Sequence, residues 1–288
     1  MPQPASDLSA GQIAMIEAAR FTQEHATPTL ALCSRYTLDK GEVSKLIPKF
    51  GTVTANDLTD GVDMTSADSL TITGTTHTTD EAGVKVIIGR KLVHQLKADA
   101  YAACGRVIGT AMAKKMEQDA HGLFSGLDNG TTAAATTLTI GYIAAMVSQC
   151  QGQSEPVPGN LSYVCHPYQA NAIIDQLTVP SATLTFPDAL SLPLLKNHWA
   201  GQMKLYGTNV FATGYLVNNT SGTTTGCTGA LFSPGAFIYL VGWNPEQWME
   251  PDKSARGWEI GIVADYGLAE EDGTYGRYMN FDNTAPTA

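Results

Sequence analysis

The sequence predicts an α+β fold in which an extended two-stranded ribbon and one long helix precede a strand-rich C-terminal part. Three observations carry this reading. Between Pro48 and Arg90 the chain is rich in Thr, Asp and Gly and holds two strand-type runs, Ser69–Thr73 and Val84–Ile88. From Arg90 to His121 apolar residues recur at helical spacing with no proline. From residue 230 onward, β-branched and aromatic runs alternate with turn residues.

Residues 1–48 read as an arm. Ser9 is placed to cap a short helix with Ile13 and Ile16 on one side, which Pro28 ends or bends. Residues 49–90 follow as the ribbon. Ser69–Thr73 alternates at period two, Val84–Ile88 is its β-branched partner, and Gly74 to Gly83 is the polar turn region between them. So few apolar residues cannot make a core, so the ribbon is expected to project from the body. A two-stranded ribbon is marginal alone in water and needs a surface to lie on. Its unpaired edges then serve as docking groups.

The helix over 90–121 comes next. Leu92, Leu96, Ala100, Ala103, Val107, Ala111 and Met116 are expected along its apolar face, and Lys97, Arg106, Thr110, Lys114 and Gln118 on the others. About 30 residues at 1.5 Å rise make a rod of about 45 Å. Gly105 and Gly109 permit a bend or a close neighbour, and Gly122 closes the helix. Beyond it the sequence predicts a helix at Ile140–Cys150 stopped by Gly152. A buried strand at Leu161–Cys165 leads through His166-Pro167 into a helix at Tyr168–Leu177. Strands follow at Met203–Tyr206 and Asn209–Ala212, then a Gly/Thr/Ser loop at 218–229. The last strands are Ala236–Val241, Gln247–Glu250, Trp258–Ala264 and Arg277–Phe281.

Charge is distributed in blocks. No Lys or Arg stands between Lys49 and Lys85, where Asp57, Asp60, Asp63, Asp68, Asp80 and Glu81 fall. Arg90, Lys91, Lys97, Arg106, Lys114 and Lys115 then crowd together, and no further basic residue occurs until Lys196. The net charge of −10 over 288 residues disfavours a protein that grips nucleic acid through its phosphates. An acidic surface can still enclose nucleic acid without adhering to it. No apolar run approaches the roughly 20 residues of a membrane helix. The opening residues lack the basic and apolar regions of a signal peptide, so cytosolic synthesis is expected. Cys33, Cys104, Cys150, Cys165 and Cys227 form no CxxC pair and are odd in number, so buried free thiols are expected rather than disulfides or a zinc site.

No motif assigns a catalytic residue, cofactor or metal. His25, His77, His94, His121, His166 and His198 form no HxxxH or HExxH, and neither a GxSxG elbow nor a GxxxxGK[ST] loop occurs. Glu270-Glu271-Asp272 before Gly273 reads as a solvated turn. His166 reads as a ring satisfying a backbone group at a strand end, with a pocket histidine of a hydrolase as the competing role. Trp243, Trp248 and Trp258, near Phe237, Tyr239 and Tyr266, read as sheet core or subunit contact. A carbohydrate-binding platform is disfavoured, because an odd separation puts Trp243 and Trp248 on opposite sides of a regular strand.

In order and spacing these elements resemble the Hong Kong 97 fold of tailed-bacteriophage major capsid proteins, shared with encapsulin shells. Residues 49–90 match the E-loop by position, and the helix from residue 90 matches the spine helix. Ser162-Tyr163-Val164-Cys165-His166-Pro167-Tyr168-Gln169 resembles the strand-His-Pro-helix passage of the axial domain, and Gly207-Thr208-Asn209-Val210-Phe211-Ala212-Thr213 the strand leading to the axial loop. Ala230-Leu231-Phe232-Ser233-Pro234-Gly235-Ala236-Phe237 is similar to the return into the peripheral domain. Arg256 to Tyr266-Gly267 is similar to its terminal strands.

The resemblance implies an arm at 1–48, an E-loop at 49–90, a spine helix at 91–126, an axial domain at 127–232 and peripheral strands at 233–288, the last able to return to the axial domain. It implies a non-enzymatic subunit, without cofactor or membrane, that assembles with copies of itself through hexamers and pentamers. The icosahedral shell would enclose double-stranded DNA without sequence-specific binding. A separate scaffolding protein, a portal and a decoration protein are the other implied partners. Localisation would be the virion, after synthesis in the host bacterial cytoplasm. The ribbon acids Asp57, Asp60, Asp63 and Asp68 are expected to lie over Lys97, Arg106, Lys114 and Lys115 of a neighbouring subunit, and deleting residues 57–80 to leave a soluble subunit unable to form shells. A compact monomer with the hairpin folded against its own body would overturn this reading. The alternatives are an encapsulin-like nanocompartment shell, a carbohydrate-binding phage fibre or decoration protein, and a hydrolase acting through His166.

Overall fold

The computed structural model describes residues 28–286 except 52, 56, 62, 64–68, 92–98, 133–135, 154–156, 158, 179–202 and 222–223. The expected helix near Ser9, and Asp68, Leu92, Leu96 and Lys97, lie outside the described residues. Pro28 opens helix α1 (Pro28–Leu32), because its fixed φ suits a first helical position.

The first sheet has the order β1-β11-β12-β4. Strands β11 (Phe237–Asp252) and β12 (Gly257–Glu270) form a long antiparallel hairpin, β1 (Ser34–Thr37) runs parallel to the start of β11, and β4 (Asp80–Gly89) runs antiparallel to β12. Helix α2 (Asp99–Gly122) packs on this sheet. Its Ile108, Met112, Met116 and Ala120, at steps of four, meet Ile260, Ile262, Ala264 and Tyr266, with Leu30 and Ile88 in the same core. The buried face is rotated from the expected one: Val107 is 65% exposed, while Gly105 and Gly109 turn inward. Ala and Gly dilute the apolar signal here, and the Ile108-to-Ala120 stripe decides the face.

The second sheet has the order β5-β13-β10-β6-β8-β7. Its strands are β5 (Asp128–Thr132), β6 (Ser162–Cys165), β7 (Met203–Leu205), β8 (Thr208–Ala212), β10 (Thr224–Phe232) and β13 (Gly276–Asp282), and β9 (Asn218–Ser221) pairs with the first part of β10. Helices α3 (Ile140–Gln151) and α4 (Pro167–Thr178) supply Ile143, Met146, Cys150 and Ile173 to a core with Tyr163, Leu231 and Phe281. The expected loop at 218–229 is instead the β9–β10 hairpin, since its threonines are β-branched and pair readily.

The two sheets meet at an aromatic joint. Phe232 ends β10, Phe237 begins β11, and Phe124 stands in the 3₁₀ turn Leu123–Gly126 after α2. The ring centroids are 5.0 Å apart for Phe232–Phe237, 5.8 Å for Phe124–Phe232 and 5.9 Å for Phe124–Phe237.

Two further expectations are corrected. The ribbon pairs β2 (Ser44–Phe50) with β3 (Ile72–Thr78), in register from Ser44↔Thr78 to Phe50↔Ile72. Residues 74–83 are therefore not a turn, since only Thr79 separates β3 from β4, and Val84–Ile88 bonds into β12 instead of to Ser69–Thr73. Val84, Val86 and Ile88 alternate at period two, and a sheet covered by α2 buries them as a bare ribbon cannot. The second correction concerns parity in β11. Register shifts lie between Val241 and Trp243 and between Trp243 and Glu246, so an odd separation no longer puts Trp243 and Trp248 on opposite sides. Trp248 lies across Gly261, where an added Cβ would come within 2.6 Å of the indole.

Candidate assembly surfaces

Residues paired across an antiparallel ribbon point to the same side. The β2–β3 register therefore sorts the ribbon into two faces. Lys45, Ile47 and Lys49 share one with His77, Thr75 and Thr73, while Leu46, Pro48 and Phe50 share the other with Thr76, Gly74 and Ile72. Pro48 is tolerated because a two-stranded ribbon leaves one edge of each strand unpaired. The first face is tied to the subunit's own body. Lys45 Nζ donates to the Thr37 carbonyl at 2.9 Å, Lys49 Nζ donates to Asp272 and stands over the Tyr275 ring at 5.5 Å, and His77 is buried. The second face is bare: Leu46, Phe50 and Ile72 are 62%, 60% and 59% exposed. Val53, Leu58 and Leu70 continue the exposed apolar surface into the connecting segment, where Asp57, Asp60 and Asp63 are also exposed. The ribbon is thus held at its base along one face and offers an apolar face and an acidic tip outward.

The acidic run at the base is not a solvated turn. Asp272 is buried and caps the 3₁₀ turn Gly273–Tyr275, accepting from the Thr274 N–H at 3.1 Å and hydroxyl at 2.6 Å. Burial raises the carboxyl's pKa, but the bonds from Lys49 and Thr274 outweigh it and hold Asp272 below its ordinary value. Burial pushes neighbouring Glu271 the other way. Because the folded value of Asp272 is depressed, its stabilisation is present above the unfolded value near 3.9 and is lost as pH falls through the lower folded value. The tether is therefore expected to survive mild acid. Asp272→Ala is expected to cost about 0.5–2 kcal/mol, the usual range for a lost cap, and to speed amide exchange in β2 at neutral pH. Unchanged exchange there would refute the tether.

On α2, Arg106, Thr110 and Lys114 share one exposed face, and neither cation is ion-paired among the described residues. Lys115 is engaged within its helix by Asp119 at 2.6 Å, and the Tyr266 hydroxyl also donates to Asp119 at 2.7 Å. Within the subunit no ion pair among the described residues joins Asp57, Asp60 or Asp63 to Arg106, Lys114 or Lys115.

Sequence reasoning missed a buried polar cluster that fastens α1 to α2. Glu117, fully buried, accepts from the Thr29 N–H at 3.3 Å and the Thr29 hydroxyl at 2.5 Å. His121 Nε2 lies 3.2 Å from the same carboxylate oxygen and 3.1 Å from the Thr29 hydroxyl. Acid and hydroxyl share one ring nitrogen, so no relay from hydroxyl through imidazole to carboxylate can operate. The only sequence signal was the Glu117–His121 spacing on an otherwise apolar face. Cys33 donates to the Thr29 carbonyl at 3.2 Å, and burial, then the nearby Glu117, pushes its thiol up to about 12. His166 Nδ1 accepts from the Tyr168 N–H at 3.2 Å, the local bond expected of it, and burial lowers its pKa against a hydrogen bond with Asn283. Among the described residues, no group of three or more His, Cys, Asp or Glu side chains converges as a metal site would.

No protein-family model matches the sequence, and no curated protein matches it. Solved structures do match its fold. A chain from Mycobacterium phage Che8 is similar with a TM-score of 0.64 at 18% identity, over 88% of this chain and 90% of that one. The capsid of the cyanophage P-SCSP1u gives 0.65 at 14% identity, over 90% and 89%. A virus-like particle from Pyrococcus furiosus gives 0.61 at 10% identity, over 92% and 98%. The chain has the Hong Kong 97-type fold.

Proposed function

We propose that this chain is the major capsid protein of a tailed phage, assembling through hexamers and pentamers into a closed icosahedral shell around double-stranded DNA. The observation that carries the reading is the ribbon, whose inner face is tethered while Leu46, Phe50 and Ile72 stand bare on the outer one. A monomer rarely leaves such an apolar surface without a partner, and a second copy supplies one. Contacts between unlike surfaces of identical subunits close into rings, and many weak linked contacts multiply into a stable whole. Arg106 and Lys114 of the neighbouring α2 are available to the acidic ribbon. Exposed ion pairs contribute only about 0.2–1 kcal/mol each, so they would set register more than strength.

The subunit needs no catalytic step, cofactor or membrane for this role. Its further partners would be a scaffolding protein, a portal and a decoration protein. It would be made in the host cytoplasm and reside in the virion. The similarity to the Pyrococcus furiosus particle favours a second reading, a nanocompartment shell. Purified particles distinguish the two by content, nucleic acid for a capsid and protein cargo for a compartment. The primary test is the mass of the purified protein by light scattering and electron microscopy. Closed megadalton shells are expected, and a small discrete oligomer would refute both readings.

A further inference from the structure

The first sheet has one face under α2 and one that lies open. Residues paired across its ladders share a side, so the register sorts the open face into rows. Trp243, Glu246, Trp248 and Glu250 of β11 stand against Asp265, Val263, Gly261 and Glu259 of β12. Strand β4 adds Glu81 beside Asp265, Lys85 beside Gly261 and Ile87 beside Glu259. The alternate residues Ile260, Ile262 and Ala264 pack under α2, which puts these rows on the other side. Glu81, Lys85, Glu246 and Glu250 are exposed, and Trp243 and Ile87 are 40% and 48% exposed. The indole of Trp248 lies across Gly261, where a Cβ would push it off the sheet. The bulges in β11 bring both tryptophans to this side, about 13 Å apart along β12.

Charge on this face is one-sided. Its rows hold five carboxylates, Glu81, Asp265, Glu246, Glu250 and Glu259, against the cation Lys85. Lys85 Nζ lies 2.6 Å from Glu259, and the Thr79 hydroxyl donates to Asp265 at 3.0 Å. Glu81, Glu246 and Glu250 have no ion pair among the described residues. Tryptophans beside carboxylates suit a cation, since the indole face attracts an ammonium or guanidinium and the carboxylate pairs with it. A neutral sugar chain would stack on the rings but leave the acids unanswered. Successive rows lie two residues apart along β12, or about 6.8 Å. Same-side residues of any extended chain have that same spacing.

We propose that this face receives an extended basic segment of another protein, one whose Lys or Arg residues recur at every second position. Cations at that period meet the rows one after another, and the two tryptophans anchor the ends of the contact. A second copy does not supply the segment, because no two Lys or Arg in the sequence stand two residues apart. The chain's own exposed cations are arranged otherwise. Arg90, Lys91, Lys253 and Arg256 line a shallow cleft around the β11–β12 turn, and Arg106 and Lys114 lie on a helix. The inference concerns a single subunit and does not rest on the shell reading. The contact is exposed to solvent, so it weakens as added salt shortens the screening length below about 10 Å.

The test compares two synthetic peptides of equal composition, one alternating Arg with Thr and one carrying its Arg residues in a block ahead of the Thr. The full-length protein, as shells and as unassembled subunit, should bind the alternating peptide about tenfold more tightly, the sum of a few exposed pairs in register. Binding should quench tryptophan emission. Trp243→Ala should weaken it about threefold or more, and Glu246→Gln with Glu250→Gln about tenfold. All three side chains are exposed, so these changes spare the fold. Equal binding of the two peptides, or binding indifferent to Trp243→Ala, would mean attraction by net charge alone and overturn the proposal. Tighter binding of chitohexaose than of the alternating peptide would make the face a glycan platform instead. Binding by the subunit but not by shells would give the face to a neighbouring copy and overturn the proposal as well. If the protein forms no shells, the shell reading fails, while the peptide comparison on the subunit still decides this one.

Discussion

Replacing residues 51–71 by an Asn-Gly turn between Phe50 and Ile72 should abolish shells and leave a folded, soluble subunit. Asn-Gly suits a two-residue connection between antiparallel strands. The cut spares both paired strands and their ties through Lys45, Lys49 and His77. Deleting residues 57–80 instead would remove all of β3 and the first residue of β4, mixing a folding defect with an assembly defect. Among what this replacement removes are Val53, Leu58 and Leu70 and the acids Asp57, Asp60 and Asp63, all exposed. Losing one of several linked contacts costs apparent affinity by about 10²- to 10⁴-fold, enough to empty the particle fraction in sedimentation. Normal shells from this variant would defeat the clasping role of the ribbon.

Phe232→Ala should destabilise the subunit by about 3–5 kcal/mol, the usual cost of removing a buried phenylalanine ring. The ring is fully buried and stands edge-on to Phe237 at 5.0 Å and tilted to Phe124 at 5.8 Å. It belongs to the second sheet, Phe237 to the first and Phe124 to the turn after α2, so the cavity would open where the two sheets are joined. Urea unfolding of the ribbon-shortened subunit is the proper measurement, because shell contacts would otherwise add to apparent stability. A loss under about 1 kcal/mol would mean that the joint collapses to fill the gap and contributes little.

Much of the second sheet was legible in the sequence because its signals are local. Gly152 marks the end of α3, whose C-cap N–H bonds to the Ser148 carbonyl. The apolar run to Cys165, then Pro167, places a strand end and a helix start one residue apart. The ribbon was legible as a charge block but not as a pairing. Period two in Val84–Ile88 says that it is a strand, not which strand it joins, and its partner β12 lies far along the chain. The apolar outer face was hidden for a related reason. Leu46 and Pro48 sit in a stretch read as the end of an arm and Phe50 at the start of the ribbon, and only their register with Thr76, Gly74 and Ile72 gathers them on one side. Glu117 falls on an otherwise apolar face of α2, and the partner that satisfies it there, Thr29, comes from a stretch read as arm. Of the expected contact residues, Asp57, Asp60, Asp63, Arg106 and Lys114 are exposed, while Lys115 has an internal partner. The cations Lys253 and Arg256 join Arg90 and Lys91 only after β4 and β12 have paired.

The single residue between β3 and β4 has a mechanical meaning. Thr79 makes the outreaching ribbon and the edge ladder of the first sheet one nearly continuous wire, with the ten residues from Asp80 to Gly89 sewn along β12. A tug transmitted through the ribbon pulls that wire lengthwise, so its stitches are loaded together in shear instead of unzipping one after another. Load on the ribbon would spread through the sheet before it could peel the edge strand away.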